Sequence, residues 1–337
     1  MLSPREIKAI DREGLSEAYT RWPESMRRSL NQPLRSPDRR EFSSVVLGGM
    51  GGSGSACDIL SDWLRPRIRL PVTVTKDYDL PGFAGPKTLC VIVSLSGETK
   101  ETHALLRQAV EKGCSAVSVS SGGALEGMSN EMGVPFNRVE NLLVPRVSVP
   151  GMVVVAARLM VKLGMVEGEA DLEEAVNEVT KTLSSTSASV AFERNPSKKL
   201  AKALLGRSVV VYSSPASASV AYHFKASMNE NAKVPVQVET YPELFHNEIE
   251  TWVAGRNRAL VMIRRKHGEE IMEQRLSRLE ELLKKVKIPM ADLWLQGSGM
   301  GALLSCSLEL DLASVYLAVL KGRAPAPTRL VQQMRPR

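Results

Sequence analysis

Two short strings stand out for the chemistry their residue types permit. The first, Gly48-Gly49-Met50-Gly51-Gly52-Ser53-Gly54-Ser55, leaves an apolar run and enters a helical pattern. Glycines let a backbone approach a ligand closely, and a helix N-terminus points free N–H groups at it, so the natural guest is an anion. The second, Ser94-Leu95-Ser96-Gly97-Glu98-Thr99, also follows an apolar run, Leu89 to Val93, and precedes a helix beginning near Lys100. Its three hydroxyls, glycine and helix N-terminus make a cup for phosphate oxygens that needs no lysine. Helix capping by Thr99 or Thr102 accounts for one hydroxyl, not three. Gly49, Gly51 and Gly54 also fit G-x-G-x-x-G, with Asp77 after the next strand, which is the pattern of a dinucleotide-binding turn. A dinucleotide fold does not need a second, hydroxyl-lined strand end. A tight turn that only requires small residues is the remaining reading of the glycines.

The elements that must position these loops follow from the apolar pattern. Strands are expected at 44–48, 71–75, 88–94, 115–119 and 141–144, with helices at 54–64, 99–112 and 124–132. Short, Val-rich, almost continuously apolar runs read as strands of a parallel sheet buried on both faces, and strand–helix alternation argues a doubly wound α/β sheet. The scheme recurs with strands at 208–213, 234–239, 258–264 and 291–295 and helices at 216–228, 269–286 and 302–321. Placing 44–74 over 208–238, an offset of 164, aligns Ser44, Val45, Val46, Ser53, Ser55, Pro71, Val72 and Val74 with identical residues. Both copies run strand, small-residue loop, helix, strand, so the chain is expected to hold two homologous α/β domains, 1–165 and 166–337. Residues 150–186 are expected to be helical and to link the halves, and a last short helix is expected near 328–334, beyond Pro325 and Pro327.

Composition narrows the partners. The chain has 337 residues and a net charge of +7, with a pI near 9.2, which favours anionic ligands. Aromatics are 5%, too few for base stacking, and the densest basic cluster, Arg264-Arg265-Lys266-His267, is followed at once by Glu269 and Glu270, so no nucleic-acid partner is expected. Four scattered cysteines and four histidines form no metal-ligand spacing, so neither a metal nor a disulfide framework is expected. The charged N-terminus is not a signal peptide, and the apolar stretch Val149–Val166 is interrupted by Arg158 and Lys162. A cytoplasmic protein without membrane partners is expected.

The strand followed by S-x-S-G-x-T, with a glycine-rich first loop, resembles the sugar isomerase (SIS) domain. Two such domains in a chain of this length resemble the archaeal-type bifunctional phosphoglucose/phosphomannose isomerases. The resemblance covers most of the chain and is carried by Gly49 to Ser55, Ser94 to Thr99, Pro145-Arg146, Asn229-Glu230-Asn231-Ala232-Lys233, His246-Asn247-Glu248-Ile249 and Pro325 to Thr328. It implies two tandem αβα sandwiches and a cofactor-free aldose–ketose isomerase of hexose 6-phosphates working through a cis-enediolate. Gly51, Gly52, Ser53, Ser94, Ser96 and Thr99 would hold the phosphate. Glu230 would move the proton between C2 and C1, His246 would open the ring, and Arg146 would stabilise the enediolate. Thr328 would leave room for the C2 epimer. The resemblance further implies a homodimer in which His246 reaches the neighbouring subunit's site. Three positions depart from the pattern: Arg335, a substrate-binding position where the family usually has lysine; Glu98, often asparagine; and Thr251, often glycine. Other SIS activities, or a non-catalytic phosphosugar sensor, are the rival readings.

Overall fold

The computed structural model describes residues 1–38, 40–254, 257–265, 270–295 and 299–334. Three short helices open the chain: α1 (Pro4–Ile10), α2 (Leu15–Tyr19) and α3 (Trp22–Asn31). There follow β1 (Ser44–Gly49), α4 (Gly51–Leu64), β2 (Val72–Thr75), β3 (Thr88–Val93), α5 (Lys100–Glu111), β4 (Ser115–Ser120), α6 (Ala124–Glu131), β5 (Phe136–Arg138), α7 (Val149–Lys162) and α8 (Glu169–Thr186). The second run is α9 (Pro196–Leu204), β6 (Ser208–Ser213), α10 (Ala218–Ser227), β7 (Val236–Thr240), β8 (Arg258–Arg265), α11 (Glu270–Lys285), β9 (Met290–Leu295), α12 (Met300–Leu320) and α13 (Arg329–Gln333).

The chain forms two compact units. Unit I comprises Arg21–Val179 and Gly299–Gly301; unit II comprises Met1–Thr20, Thr180–Ser298 and Ala302–Arg337. The units part within α8, whereas the division expected at 165/166 falls between α7 and α8. Unit I holds a parallel sheet of order β2-β1-β3-β4-β5, and unit II one of order β7-β6-β8-β9. The α/β class follows directly from the sequence: β1, β3 and β4 are buried along their whole length because helices cover both faces. The offset of 164 maps β1 onto β6 residue for residue, and β1 and β6 each pair with the strand two places along the chain.

Three expectations are corrected. The strand at 141–144 is not formed; the edge strand is β5, where Phe136 and Asn137 are buried and Ser118 pairs with Phe136. Leu143 has φ +148, and the Leu142 amide donates to Ser148 Oγ at 2.9 Å, so this apolar segment is fixed by the start of α7 rather than by a sheet. Helix α4 begins at Gly51, not 54, and the linker is two helices, interrupted between Lys162 and Glu169. Among the described helices, α12 is the most apolar. It is the one described helix long and apolar enough to cross a membrane, but 83% of its most apolar stretch is buried in protein. Within unit II it carries buried Asp311 and Ser314, which a core helix presents to hydrogen-bond partners.

Candidate functional site

In unit I the two strings emerge side by side, because β1 and β3 are neighbours and both point their C-terminal ends the same way. Gly51 takes φ +54 and turns the chain from β1 into α4. Gly52 is required for a different reason. A Cβ there would lie 2.6 Å from the Pro145 carbonyl carbon and 2.7 Å from the Arg146 nitrogen. The segment bearing Arg146 therefore crosses directly over the first loop, and Arg146 itself is buried, with 3% exposure. The amides of Gly51 and Gly52, at the first turn of α4, have no intrahelical acceptors.

Ser53 is buried and staples the two loops: the Leu95 amide donates to its Oγ at 3.0 Å. In the second loop Ser94 Oγ donates to Thr99 Oγ1 at 3.1 Å, and the Glu98 amide donates to Ser96 Oγ at 3.2 Å. Thr99 occupies the N-cap position of α5, yet its hydroxyl makes no capping bond, so capping does not explain that residue. A third loop, Ser120-Ser121-Gly122-Gly123 after β4, was not singled out from sequence. This loop and the start of α6 take up carbonyls of the second loop: Ser121 N–H and Oγ donate to Leu95 O at 2.9 and 2.6 Å, and Leu125 N–H of α6 donates to Gly97 O at 2.9 Å. His103 Nε2 also lies 2.7 Å from Gly97 O. The Leu95 and Gly97 carbonyls are thus occupied within unit I. Glu98, the added negative charge, accepts from the Ala124 amide at 2.9 Å, and there the first turn of α6 stabilises a carboxylate. Asp77 is exposed and accepts from the neighbouring Tyr78 amide at 2.7 Å.

In unit II, Glu230 sits in a π-helical turn, Met228–Ala232, that continues α10. Such turns are rare and widen the helix, frequently at functional sites. Glu230 is half-buried. The turn is pinned from beneath by α12: Asn231 Nδ2 donates to Ser314 Oγ at 2.7 Å and Ser227 Oγ to Asp311 Oδ1 at 2.5 Å, while His223 Nε2 lies 2.9 Å from Asp311 Oδ2. Lys233 follows in the left-handed conformation and donates to carbonyls of both the turn and the Ala324-Pro325 segment that leads to Thr328. The structure thus brings Glu230 and Thr328 onto segments with a common tether. Thr328 is the N-cap residue of α13 but makes no side-chain cap.

His246 is exposed, at the end of the helical turn Glu243–His246 after β7. The residue that fixes this stretch is buried Glu248. Its carboxylate accepts from Tyr212 Oη, from Gln237 Nε2 at 3.0 Å and from Thr251 Oγ1 at 3.1 Å, with Arg258 Nη2 3.7 Å away. Trp252 Nε1 donates to Tyr212 Oη at 2.6 Å. Burial, and then the bond to Glu248, push the Tyr212 hydroxyl well above the usual phenol range, so it stays a donor. Thr251 contributes a hydroxyl to this network, which accounts for a threonine where glycine is frequent. Arg335 lies outside the described residues.

Two tandem doubly wound parallel sheets, one ending in paired glycine and hydroxyl loops, define the SIS class of α/β protein. Solved structures agree on the fold. The C-terminal domain of glucosamine-fructose-6-phosphate aminotransferase from Francisella tularensis has a TM-score of 0.69 at 14% identity, covering 92% of this chain and 96% of its own. A glucose-6-phosphate isomerase from Chlamydia trachomatis has a TM-score of 0.68 at 16% identity, covering 96% of this chain and 72% of its own. Residues 193–337 match the bacterial phospho-glucose isomerase C-terminal SIS domain. The bifunctional phosphoglucose/phosphomannose isomerase of Aquifex aeolicus is 30% identical over 307 residues, 88% of this chain and 91% of that protein. The chain belongs to the bifunctional phosphoglucose/phosphomannose isomerase family.

Proposed function

We propose that this protein interconverts glucose 6-phosphate and mannose 6-phosphate with fructose 6-phosphate. The observation that carries the reading is the donor-lined pair of loops in unit I, within a chain of this family. The phosphate sits against the amides of Gly51 and Gly52 and the hydroxyls of Ser94, Ser96 and Thr99. Ser53, already bonded to Leu95, mainly sets the loops' spacing and adds its hydroxyl to the phosphate shell. His246 moves a proton between the ring oxygen and the anomeric hydroxyl to open the ring. The Glu230 carboxylate then takes the C2 proton, leaving an enediolate, and returns it to C1. Arg146 supplies positive charge to the enediolate oxygens. Thr328 accommodates rotation about C2–C3, Arg335 contacts the sugar, and the active form is a cytoplasmic homodimer to which His246 contributes across the interface.

A coupled assay offering each aldose 6-phosphate in turn tests the activity; turnover of neither substrate overturns it. The same assay in excess EDTA is expected to run at an unchanged rate, because none of these steps draws on a metal and the sequence has no cysteine–histidine ligand spacing. Loss of turnover that a divalent ion restores would contradict this. The Ser96→Ala variant is expected to raise KM about tenfold or more with a smaller effect on kcat. A hydrogen bond to a charged group contributes about 1.5–3 kcal/mol, and a phosphate contact is present in ground and transition states alike. An unchanged KM for the phosphorylated sugar removes Ser96 from the phosphate site.

A further inference from the structure

Lys233 ends the Asn229–Lys233 string that carries Glu230. Its Nζ lies within hydrogen-bond distance of four carbonyl oxygens, Glu230 O at 2.7 Å, Asn231 O at 3.3 Å, Ala324 O at 3.1 Å and Pro325 O at 3.3 Å, which share its three N–H groups. Two of these carbonyls belong to the π-helical turn carrying Glu230, and two to the segment entering Thr328, about ninety residues further along the chain. Pro325 and Pro327 have no N–H of their own, so that segment has few backbone donors with which to be held. An ammonium supplies three donors at one point and suits a cluster of carbonyls. Lys233 is itself placed by its left-handed backbone, φ +54 and ψ 47, which aims it back over the turn it terminates. Lys321 reinforces the same turn, with Nζ 3.1 Å from Ala232 O.

The geometry points to Lys233 as a positioning residue that sets the proton-transfer base and the epimer-tolerant segment relative to one another. One ammonium then couples catalytic rate to the choice between glucose and mannose substrates. The inference rests on the roles proposed for Glu230 and Thr328.

The test is steady-state kinetics of Lys233→Met and Lys233→Arg on both aldose phosphates, beside Glu230→Gln and with thermal unfolding of each variant. Lys233→Met is expected to lower kcat about tenfold or more, since small misplacement of a catalytic group has effects of that size. The mannose-to-glucose ratio of kcat/KM is expected to shift at least about threefold, and Lys233→Arg to recover part of both. A merely structural lysine would reduce the amount of active enzyme, so both substrates would fall in parallel at a constant ratio; that result, or no change, overturns the coupling. Should Lys233→Met not fold, Lys233→Gln, with a shorter donor, supports or overturns the proposal by the same ratio. A fully active Glu230→Gln overturns the base assignment instead. An inactive Glu230→Gln beside a wild-type ratio in Lys233→Met overturns the coupling alone.

Discussion

Glu230→Gln is expected to lower kcat for both aldose phosphates by about 10²–10⁴-fold while KM changes little. The amide has the shape of the carboxylate but cannot accept a proton, so only the step that moves hydrogen between C2 and C1 is lost. The change should leave the turn intact, because Lys233 engages the backbone carbonyl of residue 230 and the turn's anchors include Asn231 to Ser314, Ser227 to Asp311 and Lys321 to Ala232. Unfolding temperature and phosphosugar binding should therefore remain near those of the unmodified chain. Loss of exchange of the C2 hydrogen with solvent, followed by mass spectrometry, would localise the defect to that step. A variant keeping more than about a tenth of the rate would assign proton transfer to another group.

Thr328→Gln is expected to depress turnover of mannose 6-phosphate about tenfold to a hundredfold below that of glucose 6-phosphate. The two aldoses differ at C2 and share one enediol only if the C2–C3 bond can rotate while bound. A small polar residue leaves that volume open, and overfilling it costs about 1–3 kcal/mol in the rotated form alone. Thr328 makes no side-chain cap on α13, so its hydroxyl is not already committed there, and loss of capping should not obscure the comparison. Equal decline on both substrates would reduce Thr328 to a structural position.

The α/β class and eight of the nine strands are visible in the sequence because buried parallel strands leave an unmistakable apolar run, as in Thr88–Val93. The ninth is not, because an edge strand of three residues, Phe-Asn-Arg, has almost no pattern, while Leu142-Leu143-Val144 imitates one. The start of α4 was set too late because glycine propensity argues against helix, and tertiary packing under Pro145-Arg146 overrides it. The glycine-rich and hydroxyl loops were legible as contiguous strings. What holds the candidate residues in place was not. Tyr212 meets Glu248 across 36 residues and His223 meets Asp311 across 88, and no local spacing announces such pairs. The Ser120–Gly123 loop was the recoverable omission, being a third small-residue string at the end of an apolar strand.

The shared strand order has an evolutionary consequence. Positions 48 and 212 correspond at the offset of 164 and hold different residues. A side chain at Gly48 would come within 2.8 Å of Leu105 Cδ1, whereas the tyrosine at 212 is what reaches Glu248. Pro66 likewise stands where Glu230 does in the other copy. On the roles proposed for the loops and for Glu230, a chimera of two first halves would repeat the glycine and hydroxyl loops without Glu230, and a chimera of two second halves would repeat Glu230 without those loops. Gene conversion between the copies would therefore erase one specialisation or the other.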